Sequence, residues 1–227
     1  MDDPGHRLTY AVTMSSPGVP LETARRERKK RQTRDALLHE ALDLFERQGY
    51  EHTAVREITD AVDVSERTFF RYFASKEDLV ISFIRERTEV FVRSLAARPA
   101  AEEPLTAIRQ AFHDSLAERS TSPDDGEGVA TYLKVVRLIE ATPALLAANL
   151  RFLHDHEDEI VGVLAAREGV DPATDRRPRL LAAMFGAIGF LASREWREQD
   201  NPGPEAMAAC FDAYADQLAA TLAGHWT

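Results

Sequence analysis

Cysteine is almost missing from this chain: Cys210 stands alone among 227 residues. That excludes an internal disulfide framework and a zinc site built from several cysteines. Long apolar runs are missing as well, and no stretch approaches the roughly 20 residues that a membrane-spanning helix needs. The opening residues, MDDPGHRLTYAVTMSSPGVPLE, are acidic where a secretion signal is basic and have no sustained apolar core. Residues 1–24 therefore read as a disordered extension, with Met14 as an alternative start. No apolar–polar alternation persists long enough for a strand, and no segment repeats. A nucleophile–base pair, a metal-ligand spacing and a glycine-rich phosphate loop are also lacking, so no cofactor, no metal and no catalysis are expected. These absences fit a protein of the reducing cytoplasm.

What is present is ordinary in amount and uneven in placement. Hydrophobic residues make up 44% and charged residues 29%, the balance of a globular protein with a real core. The net charge of −10 weighs against a nucleic-acid partner until the chain is divided. From Arg25 to Lys76 there are 12 Lys/Arg against 10 Asp/Glu, and beyond Lys76 there are 15 against 25. The basic excess is concentrated in RRERKKRQTR, Arg25 to Arg34. An acidic body with a basic working end is one reading of this split, and a solvated helix face is the other.

Helical periodicity organises the first third. Leu37, Leu38, Ala41, Leu42 and Phe45 share a face, and Gly49 ends that helix. Thr53 is a candidate N-cap for a short second helix carrying Val55, Ile58 and Val62, and Asp63 and Val64 make a tight turn. Ser65 caps a third helix in which Phe69 and Phe73, four apart, lie on one side. Ser75 and Asp78 then form a capping box that opens a long helix toward Ala97. Two short helices across a tight turn, behind a longer one, form a helix-turn-helix pattern. Buried rings at 69 and 73 would anchor the third helix while its other face, with Glu66, Arg67, Phe70, Arg71 and Tyr72, points outward.

The run LFERQGYEHTAVREITDAVDVSERTFFRYFASKEDLV resembles the DNA-binding domain of the TetR family of bacterial regulators, over residues 30–80. The agreement includes Phe45, Gly49, Tyr50, Thr53, Ile58, Ala61, Val64, Ser65, Thr68, Phe69, Tyr72, Phe73, Lys76, Glu77 and Leu79. Two positions depart from the family pattern: Asp63 stands where glycine is common, and Phe70 where tyrosine is common. Aspartate tolerates a positive φ better than most residues, so the turn should survive. Phe70 cannot make the phosphate hydrogen bond of a hydroxyl and is left as a contact with sugar or a thymine methyl. The resemblance implies an all-α homodimer in which residues 25–76 bind double-stranded operator DNA and helical residues 77–227 bind a small-molecule effector and dimerise. It further implies phosphate contacts from Thr53, Tyr72 and Lys76, base reading from Glu66, Arg67 and Thr68 next to the cap Ser65, and contacts from Phe70 and Arg71. An arm around Lys29, Lys30, Arg31 and Arg34 would reach phosphates or the minor groove.

Beyond Ala97 all readable periodicity is helical, with segments starting near Pro104, Val129, Pro143, Arg177 and Glu205 and a break at SPDDGEG. Small residues recur on the last two helices. Ala182, Gly186, Gly189, Ala209 and Ala213 permit close backbone approach and form the expected dimer interface, with packing inside one subunit as the alternative. For the effector pocket the candidates are Phe91, Leu95, Phe112, Leu116, Tyr132, Val136, Phe152 and Phe185, whose character suits an apolar or amphipathic ligand. RLIEATPALLAANL is similar to the C-terminal domain of the mycofactocin-type regulators, a branch that implies long-chain acyl-CoA as the ligand class. HDHED, His154 to Asp158, reads as a solvated acidic face, and Cys210 as a small buried residue. Repression relieved by the effector is the expected activity. Activation, or regulation without a ligand, would use the same DNA-binding domain, and a helical enzyme with a deep apolar pocket is the remaining alternative.

Overall fold

The computed structural model describes residues 21–120 and 125–222, with side chains left aside at residues 21–24, 27, 119–120, 125–127 and 219–222. Among the described residues the chain is helical and strand-free: α1 (Leu21–Gln48), α2 (Val55–Ala61), α3 (Glu66–Tyr72), α4 (Lys76–Ala97), α5 (Pro104–Ser120), α6 (Asp125–Ala141), α7 (Pro143–Glu168), α8 (Arg177–Arg197) and α9 (Pro204–Leu222). Helix α1 begins well before the Thr33 at which apolar periodicity starts, so the basic stretch from Arg25 to Arg34 is helical. Met14 and the rest of residues 1–20 lie outside the described residues, and α6 begins within the SPDDGEG break.

Local chemistry fixes the ends of the short helices. Gly49 stops α1 at φ 87°, a left-handed conformation that glycine adopts without penalty. At the α2–α3 turn Asp63 takes φ 55°, and the Val64 amide donates to the Thr59 carbonyl at 3.0 Å, so the turn closes without glycine. Ser65 Oγ accepts from the Thr68 amide at 3.2 Å and starts α3. Ser75 Oγ accepts from Asp78 N at 3.1 Å while Asp78 reaches back to the Ala74 amide at 2.9 Å, starting α4. The second-helix cap differs from expectation. Ala54 is the N-cap, its amide held by Glu57 at 2.8 Å, and Thr53 turns inward to donate to the Gly49 carbonyl at 2.8 Å.

Two hydrophobic cores share α4. Leu79, Val80 and Ile81 at its start join Leu37, Leu42, Phe45, Ile58, Phe69 and Phe73, a cluster to which α6 and α7 add Val135, Ile139 and Leu145. One turn from its end, Phe91, Val92 and Leu95 enter a second core with residues of α5, α7, α8 and α9. Burying each large apolar side chain contributes about 1.5–3 kcal/mol before entropy is counted. Helix α4 is also pinned at both ends. Lys76 Nζ donates to the Tyr50 and Thr53 carbonyls at 2.8 and 2.7 Å, and Arg167 of α7 donates to the Arg98 and Pro99 carbonyls at 2.6 and 2.9 Å. A cation on the last carbonyls of a helix complements its dipole.

Candidate functional site

Helix α3 separates its residues by face. Phe69 is fully buried, packs on Phe73 with ring centroids 5.4 Å apart, and touches the adjacent Phe70 ring edge-on at 5.3 Å. Phe70 itself is 53% exposed, beside exposed Glu66, Arg67 and Arg71. A side chain of that size left in water on a helix held by buried rings is offered outward rather than used for packing. Arg71 lies over the Tyr72 ring at 4.9 Å and donates to its hydroxyl at 3.1 Å, so these two side chains are presented as one unit. Ser65 and Thr68 hydroxyls share a hydrogen bond of 3.0 Å at the first turn. Exposed Lys29, Lys30 and Arg31 extend the basic surface along α1.

Three expected contact residues have other commitments. Thr53 is 1% exposed, and its hydroxyl donates to Gly49 and accepts from Gln48 at 3.3 Å. It is neither the cap of α2 nor open to a phosphate in this state. Lys76 uses two of its three donors on the α1–α2 loop and sits over the Tyr50 ring at 4.5 Å, making it a strut between that loop and α4. Arg34 pairs with Glu86 of α4 at 2.5 Å and stacks on Phe73 at 5.4 Å, turning away from any arm. Burial raises the Glu86 carboxyl above its ordinary range, and Arg34 opposes that shift.

The residues expected to line a ligand pocket divide. Phe112 and Phe185 meet Phe211, a residue absent from the expected set, and Phe91 stacks on Phe185, with centroids 4.3 Å apart for Phe91–Phe185 and 4.1 Å for Phe112–Phe211. These rings are stacked on one another, with Leu95 buried beside them. Tyr132 packs edge-on to Trp196 at 5.6 Å and shares a hydrogen bond of 3.1 Å with Ser193. Leu116 is buried and Val136 half-buried. Phe152 belongs instead to the first core, where it stacks on His156 at 5.6 Å. A cleft of about 430 Å³ between α6 and α8, lined by Arg137, Glu140, Phe190, Arg194, Arg197 and Glu198, includes none of the eight. On α4, Arg87 lies midway between Phe83 and Phe91 at four-residue spacing.

The small-residue helices show a similar mixture. Ala182 is buried inside the subunit and drops out of the expected interface. Ala209 and Ala213 are exposed, and a Cβ added at Gly186 or Gly189 would meet nothing within 4 Å, so intramolecular packing does not require these glycines. Phe190, four residues after Gly186 on α8, is 63% exposed, and Leu180 and Leu191 of the same helix are exposed by 62% and 41%. In HDHED the solvated reading fails at one residue. His156 is buried, its Nδ1 is 3.0 Å from Glu159, and its Nε2 has no partner. Cys210 is buried as expected, and burial pushes its thiol pKa up. No described helix is long and apolar enough to cross a membrane, and no described group of three or more His, Cys, Asp or Glu could hold a metal.

Comparison with known proteins agrees with this arrangement at both ends. Residues 37–83 match the family described as bacterial regulatory proteins, tetR family, and residues 102–223 match the MftR C-terminal domain. The HTH-type transcriptional regulator TcmR of Streptomyces glaucescens is 42% identical over 214 residues, covering 94% of this chain and 95% of that protein. Among solved structures, NalD, the secondary repressor of the MexAB-OprM multidrug efflux pump in Pseudomonas aeruginosa, superposes with a TM-score of 0.52 at 16% identity, over 84% of this chain and 96% of that one. A SmeT–triclosan complex superposes with a TM-score of 0.51 at 17% identity, over 82% and 91%. At such identities the two structures support the fold, and the matched sequence supports the lineage: the chain belongs to the TetR family of DNA-binding transcriptional regulators.

Proposed function

We propose that this regulator is a homodimeric repressor, released from its operator by a small amphipathic molecule bound in the helical body. The reading head spans residues 25–76, and the sensing and pairing body residues 77–227. The observation that carries the proposal is the outward face of α3, where Glu66, Arg67, Phe70 and Arg71 stand exposed on a helix anchored by Phe69 and Phe73. Arg67 suits the O6/N7 edge of guanine and Glu66 the N4 of cytosine, each good pair contributing about 1–3 kcal/mol of discrimination. Lys30, Arg31 and the Arg71–Tyr72 pair supply phosphate contacts that set orientation. Phe70 takes a thymine methyl or a sugar.

Open space over Gly186 and Gly189 beside exposed Phe190 supports pairing of α8 and α9 across a two-fold axis. Helix α4 joins that body to the reading head: Lys76 and Arg34 tie its first half to the head, and Phe91 and Leu95 bury its second half in the body. A ligand that opens the stacked rings at Phe91 changes where α4 rests. Release follows if that ligand binds the displaced form more tightly than the operator-bound form. Its class is apolar or amphipathic, an acyl-CoA among the candidates, and the cytoplasm is where such a repressor works.

Selection of duplexes from a random library tests the reading. The wild type should enrich a palindromic site, with Arg67→Ala weakening that site and relaxing one position of it in each half. Unaltered affinity and sequence preference in Arg67→Ala would sink the assignment of α3.

A further inference from the structure

Among the described residues Arg87 is a cation without a counter-ion. It lies on α4 between Phe83 and Phe91, so the three side chains share one face of the helix. Its guanidinium is 5.0 Å from the Phe83 ring centroid and 4.8 Å from that of Tyr132 on α6. No described carboxylate forms an ion pair with it, and no described acceptor takes a hydrogen bond from its five N–H groups. Other arginines around it differ. Arg85 pairs with Asp78 at 2.9 Å, Arg93 with Glu118 at 3.1 Å, and Arg197 with Glu140 at 2.9 Å. Burial pushes the Arg87 pKa down and only the Tyr132 hydroxyl opposes it, so no described carboxylate answers the charge.

Two rings lie against the guanidinium, and its N–H groups have no described acceptor. The ring-stacking residues begin one helical turn away. Phe91 is four residues on, a rise of about 6 Å along α4, and stacks with Phe185 beside Phe112 and Phe211. Tyr132 continues the aromatic wall to Trp196. An anion at Arg87 and an apolar body among these rings would fit one small molecule whose acidic group sits within about 6 Å of its ring system or chain. Guanidinium recognises a carboxylate, sulfonate or phosphate through paired N–H bonds.

We infer that Arg87 is the anchor of the effector site and that the effector is an amphipathic anion, its acidic group held between Phe83 and Tyr132 and its apolar body inserted among Phe91, Phe112 and Phe185. The inference rests on the effector binding in the helical body proposed above and specifies the effector's chemistry: an acid is favoured over an amine or a neutral isostere of the same shape. Because Glu86, the residue before Arg87, pairs with Arg34 of α1, a shift of this turn of α4 is passed to the reading head.

A matched pair of fluorescent probes tests it. Anilinonaphthalene sulfonate and N-phenylnaphthylamine share the same ring system, and only the first is charged. Full-length wild type should bind the sulfonate more tightly than the amine. Arg87→Met should weaken sulfonate binding roughly ten- to hundredfold, the loss expected for a charge-assisted bond, and leave the neutral probe unchanged. Arg87→Lys should keep most of the preference. Equal binding of both probes by wild type, or an unchanged sulfonate affinity in Arg87→Met, overturns the inference. If Arg87→Met does not fold, as read by circular dichroism, the wild-type preference and Arg87→Lys decide. Binding of the selected duplex by the same samples separates the two failures: duplex binding without charge preference defeats only the anion anchor, whereas loss of sequence-specific duplex binding by wild type defeats the repressor reading itself.

Discussion

The molecule contains two aromatic clusters with opposite consequences. In the reading head, Phe45, Tyr50, Phe69 and Phe73 close around short helices, and every ring except Phe70 is covered or partly covered. In the body, Phe91, Phe112, Phe185 and Phe211 come from α4, α5, α8 and α9 and stack on one another. The first cluster holds a surface fixed for an outside partner. The second is assembled from four separate helices, and the proposed effector would have to rearrange it.

Replacing one ring at a time breaks this comparison most sharply within the head. Phe69→Ala removes a fully buried ring and should cost about 3–5 kcal/mol, unfolding the head and abolishing duplex binding while helix content in the body persists. Phe70→Ala, one residue on, should leave stability within about 0.5 kcal/mol of wild type and alter only duplex affinity. Calorimetry and fluorescence anisotropy on both variants check the pair. Similar melting curves for the two would show that α3 is not divided into a buried and an offered face.

Lys76→Met is expected to rank second. Two charge-assisted bonds to the Tyr50 and Thr53 carbonyls are lost, a cost of about 3 kcal/mol, which thermal unfolding would register. Its salt dependence discriminates between roles. A strut leaves the slope of log affinity against log salt unchanged, and a phosphate contact lowers it by about 1 per subunit. The third effect concerns the body's outer face. Phe190→Ala removes an exposed ring whose burial in a dimer would contribute about 2 kcal/mol per subunit, so sedimentation should show dissociation at higher concentration than wild type with monomer stability preserved.

Much of the head is legible in the chain because its determinants are local. Ser65 to Thr68, Ser75 to Asp78, and Phe69 to Phe73 are three or four residues apart, and the structure realises each of them. The contacts that sequence does not reveal are those whose partners are remote or whose backbone decides for them. Lys76 meets carbonyls 26 and 23 residues earlier, and Arg34 meets Glu86 on another helix. Thr53 has the chemistry of a cap, but Gly49's left-handed stop leaves a carbonyl that its hydroxyl takes instead. In the body, helical spacing identifies Phe91, Phe112 and Phe185 but gives no sign that Phe211 completes their stack or that Phe152 leaves it for the other core.

His156 carries the smallest effect and tests the join between the two regions. It is buried on α7, stacked on Phe152 of the first core, with Glu159 on its own helix and Glu89 on α4 as the carboxylates facing it. Burial lowers its pKa below 6.5, and the two carboxylates oppose that change. In the unfolded chain the imidazole takes a proton near its ordinary value, so between the folded pKa and about 6.5 the unfolded state binds more protons. Stability is therefore full above that window and falls as pH drops through it, by about 1.4 kcal/mol for each pH unit that separates the folded pKa from the unfolded one. Asp35 and Glu86 act with the opposite sign, since burial raises their carboxyl pKa values and the folded state then gains relative to the unfolded one on acidification. Comparing His156→Phe with wild type isolates the imidazole from that background. As pH falls below about 6.5 the wild type should lose more stability than the variant, and parallel melting temperatures for the two proteins across that range would mean that the ring is solvated rather than part of the seam between head and body.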